Sequence, residues 1–212
     1  MARKKYGKQV GKIVAAFALL LVIIVGLSYG SLVRGMDQAA AEYSRGDVDA
    51  ALQQYAGIEQ RLRSMGAIRL IPGKDRRNLI LNQARLLYAQ DRYDEAQDAM
   101  DRETEIAGGT NDDGRFLLLK GEIAFRRAVK TYTDSTTKDT KRLEESLRTA
   151  EDNLRDALRL SPNDWDTKYN FEYVAHVRSL LNPQQTVQAN IIMNKIRTDK
   201  QPPTNLPIEL SP

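Results

Sequence analysis

The 212-residue chain contains no cysteine and a single histidine, His176. The absence of cysteine excludes disulfides, thiolate catalysis, cysteine-ligated metals and a lipoprotein acylation site. Without a cysteine or a second histidine, His176 cannot complete a two-histidine metal site or a Cys-His pair, so a structural role is expected for it. The sequence also lacks a P-loop, a dinucleotide-binding fingerprint and a nucleophile elbow. It therefore predicts a non-catalytic protein with no cofactor, no metal and no small-molecule substrate.

One segment, Gly108 to Phe116, has the acidic, glycine-containing composition of a calcium-binding loop. With Gly114 at the sixth loop position, however, the first position holds a glycine and the twelfth a lysine, so both essential carboxylates are missing. We predict instead a turn, in which Asp112 or Asp113 caps the helix that follows.

The charge balance lacks the distributed basic face that nucleic-acid binding requires. The whole chain has 32 Lys and Arg residues against 28 Asp and Glu, but five of the basic residues lie in the first twelve positions. From Ile13 onward, 27 basic residues face 28 acidic ones, a formal charge of −1. A nucleic-acid partner is therefore not expected.

A stretch of 21 residues from Ile13 to Val33 contains no charged residue. At about 1.5 Å per residue, a helix of this length crosses a hydrocarbon core of about 30 Å. A cleavable signal peptide is the alternative, because Ile13 to Val25 has the length of a signal-peptide core and the small residues Ser28 and Gly30 follow it. An uncleaved transmembrane helix is favoured, since apolar or small residues continue to Val33 without an A-x-A cleavage motif.

The five basic residues before this stretch predict its orientation. Only Arg34 and Arg45 follow within about fifteen residues, so the positive-inside rule places residues 1–12 in the cytoplasm. The expected location is the bacterial inner membrane, with a single pass and the remaining chain in the periplasm.

The rest of the chain has helical periodicity and an internal repeat. Ala40 to Tyr55 aligns with Arg85 to Met100 at a period of 45, with a tyrosine near a helix end, a polar turn and an Asp-x-Ala sequence opening the next helix. The matched positions are Tyr43, Gly46, Asp49 and Ala51 with Tyr88, Asp91, Asp94 and Ala96. A third unit begins at Leu117 and resumes at Leu147.

These units resemble the tetratricopeptide repeat, in which small residues let two antiparallel helices approach and larger ones fill the seam. The small positions of the first helices are Ala39, Ala84 and Gly121, and those of the second helices are Ala51, Ala96 and Ala150. The large apolar positions are Tyr55, Met100 and Leu154, and Ala157 and Pro162 fit the end of the last unit. The chain departs from the pattern at Asp91, which replaces the turn glycine, and at Glu103, where a small residue is usual.

The predicted fold is all-α, with an N-terminal transmembrane helix, a short tetratricopeptide-like α-solenoid over residues 34–182 and a C-terminal capping helix. The capping helix is expected from Trp165 to about Leu181, with Asn163 or Asp164 as its N-cap. Residues 183–212 contain five of the seven prolines and are expected to form an extended or disordered tail, with at most a short helix around Val187 to Ile196.

Two insertions are predicted within the solenoid. The first, Ser64 to Asp75, has Ile68, Leu70 and Ile71 available to pack on the stack. The second, Thr131 to Lys141, is polar and threonine-rich, and we expect a mobile loop there.

In such a solenoid the first helices line a concave groove, so their polar positions are predicted to be on the surface and to bind a partner. These groove residues are Asn78, Asn82, Arg85, Tyr88, Arg115, Glu122, Phe125 and Arg126. The guanidinium groups of Arg85 and Arg126 offer paired donors for a partner's carboxylate, with intramolecular ion pairing or solvation as the more common alternative.

Aromatic residues cluster in the predicted capping helix. A packed cap is the more common explanation of such a cluster, and contact with a partner is the alternative. The candidate end-cap contacts are Trp165, Tyr169 and Tyr173.

The string DALRLSPNDWDTKYNFEYV, Asp156 to Val174, with one membrane span upstream, resembles the MxaK-type proteins, and the likeness extends more generally over Gln38 to Leu181. Members of that family are encoded beside MoxR-type AAA+ ATPases and von Willebrand factor A domain proteins. The resemblance implies a protein-interaction scaffold that assists maturation or metal loading of exported proteins, with such proteins as partners. The alternative function is a general periplasmic chaperone or protein-translocation accessory of the same architecture.

Overall fold

The computed structural model describes residues 2–109, 112–181 and 186–198. All regular structure in these ranges is helical, which confirms the predicted all-α class. The α-helices are α1 (Ala2–Ser44), α2 (Val48–Ser64), α3 (Gly73–Ala89), α4 (Tyr93–Ile106), α5 (Gly114–Asp134), α6 (Thr140–Leu160), α7 (Trp165–Ser179) and α8 (Thr186–Thr198). The chain forms two compact units, the first ending at Met65 and the second beginning at Gly66, so the predicted solenoid domain 34–182 falls across both.

In the first unit, the C-terminal part of α1 and α2 form an antiparallel hairpin. Ala39, Ala51 and Tyr55 are fully buried in it, and the Tyr55 hydroxyl donates to the Met36 carbonyl oxygen at 3.4 Å. The turn between the helices is closed by Asp47, the N-cap of α2, whose side chain accepts from the Ala50 amide at 2.9 Å. A short side-chain acceptor at the N-cap satisfies an amide that the helix itself leaves unpaired.

The uncharged stretch 13–33 lies inside α1. Its side chains at positions 13, 21, 22, 24, 25 and 28 lie outside the described residues. Among the residues that the structure describes, no helix combines the length and apolar character needed to cross a membrane.

The helix boundaries repeat with the period seen in the sequence. The helices α1 and α3 end at Ser44 and Ala89, and α2 and α4 begin at Val48 and Tyr93, so both boundaries recur after 45 residues. The matched turn positions also share a left-handed backbone, with φ of 88° at Gly46 and 58° at Asp91. Aspartate tolerates this conformation better than most residues, which explains how it replaces the turn glycine.

In the second unit, α5 and α6 form the most extensive helix pair, and the two helices pack tightly at Gly121. A Cβ atom at this position would lie 2.5 Å from Leu154 Cγ and 3.3 Å from the Ala150 carbonyl oxygen. The small first-helix residue and the second-helix pair therefore meet in one seam, as the repeat pattern requires. All nine repeat positions that mark small or large seam residues are buried: Ala39, Ala51, Tyr55, Ala84, Ala96, Met100, Gly121, Ala150 and Leu154.

The prediction of a mobile loop over Thr131 to Lys141 is wrong. Helix α5 continues to Asp134 and α6 begins at Thr140, so only five residues connect them. Tyr132 is buried in the core of the unit, and the Asp139 side chain caps α6 by accepting from the Arg142 amide at 3.0 Å. The polar composition of this segment reflects the exposed faces of two long helices rather than an insertion.

The first predicted insertion forms a 3-10 turn over Ala67–Arg69, after Gly66 with φ of 67°. Ile68 is buried, as predicted, but Leu70 is 85% exposed and does not pack. A turn this short has one inward-facing position, which Ile68 occupies.

The helix predicted from Trp165 is present as α7, which packs against α6. The Arg178 guanidinium joins the two helices through Glu151, with Nε 2.7 Å from Oε2. The short helix allowed around Val187 to Ile196 is present as α8, Thr186–Thr198. The other residues of the predicted tail, 183–185 and 199–212, lie outside the described residues. Ala189, Met193 and Ile196 of α8 are buried in the same core cluster as α5.

Candidate functional site

A row of three aromatic residues follows one side of α7. Trp165, Tyr169 and Tyr173 are four residues apart, a spacing that stacks side chains along one helix face. Trp165 is 77% exposed and Tyr169 55% exposed. The rings of Tyr169 and Tyr173 lie 6.2 Å apart and nearly parallel. We call these three residues the aromatic row. Two of them, Trp165 and Tyr169, lie on the surface instead of packing as a cap.

The inner end of the aromatic row meets α5. The Tyr173 ring packs edge-on against Phe125, with 5.7 Å between centroids, and the Asn170 amide donates to Glu122 Oε1 at 2.9 Å. Phe125 and Glu122 were predicted on the surface of the groove, and this prediction is wrong, since both are buried. The reason is that α7 packs across α5 at these positions, which a sequence pattern confined to α5 does not reveal.

Tyr88 at the end of α3 lies beside the same part of α5. Burial raises the pKa of the Tyr88 hydroxyl, and the negative charge of Glu122 adds to this, while Arg126 opposes both by its hydrogen bond and charge. The Arg126 guanidinium also donates to the Ile196 carbonyl oxygen of α8 at 3.3 Å and lies 6.0 Å from the Phe125 ring centre. Arg126 is therefore held within the molecule, in line with the intramolecular alternative.

Asn78, Asn82 and Arg85 share one face of α3, since they follow one another at intervals of four and three residues. They were predicted on the surface, which is wrong, because their exposed fractions are 2%, 0% and 9%. Helix α3 contacts both α4 and α5, and twelve of its seventeen residues are buried. Buried amides usually have hydrogen-bond partners, yet among the described atoms Asn78 Oδ1 has none.

The Arg115 side chain binds the N-cap residue of α5 and does not line an open groove. Its Nε and Nη2 atoms donate to the Asp113 carboxylate at 3.0 and 2.7 Å. Asp113 is the N-cap of α5 and accepts from the Arg115 amide at 3.1 Å, which confirms the predicted cap. Burial favours a higher pKa for the Asp113 carboxyl, but the hydrogen bonds and charge of Arg115 outweigh it and hold the pKa below its ordinary value.

We call one set of predicted groove residues on α3 and α5 the groove face; Tyr88 and Arg126 are half-buried and the others are buried. Its members are Asn78, Asn82, Arg85, Tyr88, Glu122, Phe125 and Arg126. The groove face contains most of the predicted groove residues, and it meets the aromatic row where Tyr173 packs on Phe125. Arg115 is not part of it, because its side chain binds Asp113 at the start of α5. Sequence reasoning missed Asn170, which bridges α7 to Glu122, and the carbonyl of Ile196. Only the intervals between Ala189, Met193 and Ile196 pointed to a packed α8.

The described part of the chain offers no metal site. His176 is exposed on α7, and no group of three or more His, Cys, Asp or Glu side chains in these ranges is arranged to hold a metal ion. Comparison with family models, with curated proteins and with solved structures yields no match to this chain.

Proposed function

We propose that this protein is a membrane-anchored, non-catalytic scaffold that binds a protein partner through the aromatic row of α7. The observation that carries the proposal is the exposure of two large aromatic side chains, Trp165 and Tyr169, on one face of α7. Large aromatic side chains provide much of the binding energy of protein interfaces when they are desolvated by a partner.

The surroundings of the row support the same function. Lys168 lies 5.2 Å from the Trp165 ring centre, so the row is apolar with a charged edge, which is the composition of an interface core and its rim. The inner ring, Tyr173, is fixed by Phe125, and α7 is tied to α6 by Arg178, so the row is presented by a rigid element. Preorganisation of this kind lowers the entropy lost on binding.

Anchoring through residues 13–33 is part of the proposal. It is supported by the uncharged sequence of this stretch and by the exposed apolar side chains of α1, among them Phe17, Leu19 and Leu27. The basic residues 1–12 favour a cytoplasmic amino terminus and a periplasmic position for the aromatic row.

The tetratricopeptide-like repeat and the narrower likeness to MxaK-type proteins suggest the class of partner. We propose an accessory of a MoxR and von Willebrand factor A domain system that assists maturation or metal loading of exported proteins. The recurring boundaries after 45 residues and the tight Gly121 seam support the repeat assignment.

The test is site-specific photocrosslinking in cells with the full chain. A photoreactive phenylalanine analogue replaces Trp165 or Tyr169, and a matched control replaces Arg127, which is exposed on the other side of α5. We expect one discrete adduct from the α7 positions, containing a von Willebrand A domain protein, and none from the control.

The alternative outcomes separate the functions. A ladder of adducts with many unfolded secretory proteins would replace the proposed scaffold by the general chaperone or translocation accessory. Equal labelling from Arg127 and Trp165 would show that the aromatic row is not part of the binding surface.

A further inference from the structure

We propose that the cavity between α4, α5 and α6 binds an acidic oligosaccharide. The cavity has a volume of about 670 Å³. It is open to solvent, because Thr131, Arg142 and Thr149 line it and are exposed. It lies on the side of α5 opposite the groove face, since Thr131 is half a helical turn from Glu122 in angle. The inference goes beyond the proposed function and does not rest on it, because the surface and the class of ligand are different.

Three helices each present one face to this cavity. The lining residues of α5 recur at intervals of three or four from Lys120 to Ser135, and those of α6 recur in the same way from Arg142 to Asn153. The third wall is α4. From Lys120 to Ser135 the helix rises about 22 Å, at about 1.5 Å per residue. The cavity is therefore elongated, and its volume is within the range of about 300–1,000 Å³ that is typical of small-ligand sites.

One cationic group in the cavity has no partner in the described part of the chain. Lys120 pairs with Asp101 at 3.0 Å. Arg127 pairs with Asp94 at 2.6 Å. The Arg142 guanidinium, in contrast, makes neither an ion pair nor a hydrogen bond among the described residues. A guanidinium offers two parallel donors that match a carboxylate, so we expect the ligand to carry a carboxylate near the start of α6.

Tyr132 lines the same cavity and has a buried hydroxyl. Tyr132 is 5% exposed, and its hydroxyl has no hydrogen-bond partner among the described atoms. A buried hydroxyl without a partner is costly, so an acceptor supplied by a ligand would stabilise the complex. Tyr132 is near the end of α5 and Arg142 near the start of α6, so both donors belong to the end of the cavity where the two helices are connected.

The rest of the lining suits a ligand with many hydroxyl groups. Its neutral polar side chains are hydroxyls and amides, which both donate and accept hydrogen bonds as sugar hydroxyls do, and they include Gln97, Thr131, Ser135, Ser146, Thr149 and Asn153. Ser146 and Thr149 donate to carbonyl oxygens of their own helix and still have acceptor lone pairs. Peptides are recognised through pockets for their side chains, whereas the apolar part of this lining is mainly Ala124, Ala128 and Leu143. The lining therefore favours an acidic oligosaccharide over a peptide.

Isothermal titration calorimetry of the full chain with trigalacturonate tests the proposal. A detergent without a sugar headgroup keeps a competing ligand out of the solution. The matched ligand is maltotriose, which is a neutral trisaccharide. We expect trigalacturonate to bind at least about tenfold more tightly, because a hydrogen bond to a charged group contributes more than one between neutral groups. Equal affinity for the two sugars, or no binding of trigalacturonate, would overturn the proposal.

Charge reversal at one position locates the site. Arg142→Glu should weaken trigalacturonate binding at least about tenfold. Arg148→Glu, at an exposed position of α6 that does not line the cavity, should change it less than about twofold. Glutamate is favourable in the first turn of a helix, so Arg142→Glu should preserve the fold, which circular dichroism checks. Equal weakening by the two variants would indicate general charge attraction and contradict a site in the cavity.

Removal of one hydroxyl separates binding from structure. Tyr132→Phe should weaken trigalacturonate binding without lowering the unfolding temperature, because the hydroxyl has no partner among the described atoms of the free chain. A lower unfolding temperature with unchanged binding would contradict the site. Equally tight binding of a seven-residue peptide of alternating glutamate and threonine would replace the oligosaccharide by an acidic polypeptide. No protein partner is present in these titrations, so their failure is distinct from a failure of the Trp165 photocrosslinking that tests the proposed function.

Discussion

Removal of the Glu103 carboxylate is expected to lower the stability of the second unit sharply, because it leaves the Arg76 guanidinium charged between α3 and α4. Arg76 Nε lies 3.0 and 2.8 Å from the two oxygens of Glu103. The Glu103 side chain is fully buried and Arg76 is 8% exposed. In the predicted repeat pattern a small residue is usual at the position of Glu103, so that pattern does not suggest this ion pair.

The size of the effect follows from desolvation. Breaking a buried ion pair from one side typically costs about 3–5 kcal/mol, whereas replacing both partners by apolar residues of similar volume is often neutral. Glu103→Leu alone should therefore lower the free energy of unfolding by about 3–5 kcal/mol, which is a large share of the total stability of a domain. Arg76→Met combined with Glu103→Leu should recover most of this loss.

Urea unfolding followed by far-ultraviolet circular dichroism measures these differences. The control is Asp94→Ala, which removes an exposed ion pair with Arg127 of 2.6 Å. Exposed pairs contribute at most about 1 kcal/mol, so this variant should unfold close to the original chain. The reasoning is refuted if Glu103→Leu is as mild as Asp94→Ala, or if the double variant is no more stable than Glu103→Leu.

Three further predictions use thermal or urea unfolding in the same way. Gly121→Ala should destabilise despite a gain of about 1 kcal/mol in helix propensity, because overpacking against Leu154 costs about 1–3 kcal/mol, while Gly57→Ala, which meets nothing within 4 Å, should stabilise. Asp113→Asn should lower the stability at pH 7, because the folded chain holds the pKa of Asp113 below its ordinary value. The stability difference from the original chain should be complete above the unfolded pKa of about 3.9, and should disappear as the pH falls through the folded pKa. Asp91→Ala should destabilise by about 1 kcal/mol and Asp91→Gly should not, since only glycine adopts φ of 58° without a Cβ penalty; equal effects would contradict this.

Local features of the fold could be predicted because they depend on neighbouring residues. Helical periodicity and the 45-residue repeat placed the ends of α1 and α3 correctly, and Asp113 was expected as a cap because a carboxylate before an apolar helix satisfies its free amides. The prediction of a loop over Thr131 to Lys141 was wrong because it, too, used only neighbouring residues. Threonine-rich composition suggests a loop, whereas the continuation of α5 depends on Tyr132 reaching a core built partly from α6, α7 and α8.

The burial of the groove-face residues could not be predicted from a single sequence. A polar residue at a repeat position is ordinarily assigned to the surface, and Asn78, Asn82 and Glu122 were assigned so. The burial of Asn78 and Asn82 depends on the packing of α3 against α4 and α5, and that of Glu122 on Asn170, which lies far along the chain on α7. The aromatic row shows the converse, since Trp165 would have been buried if a later helix had covered α7, and α8 packs on α5 instead. The packing of α7 on α5 therefore buries Glu122 and Phe125, while the position of α8 leaves Trp165 and Tyr169 as an exposed aromatic surface on α7.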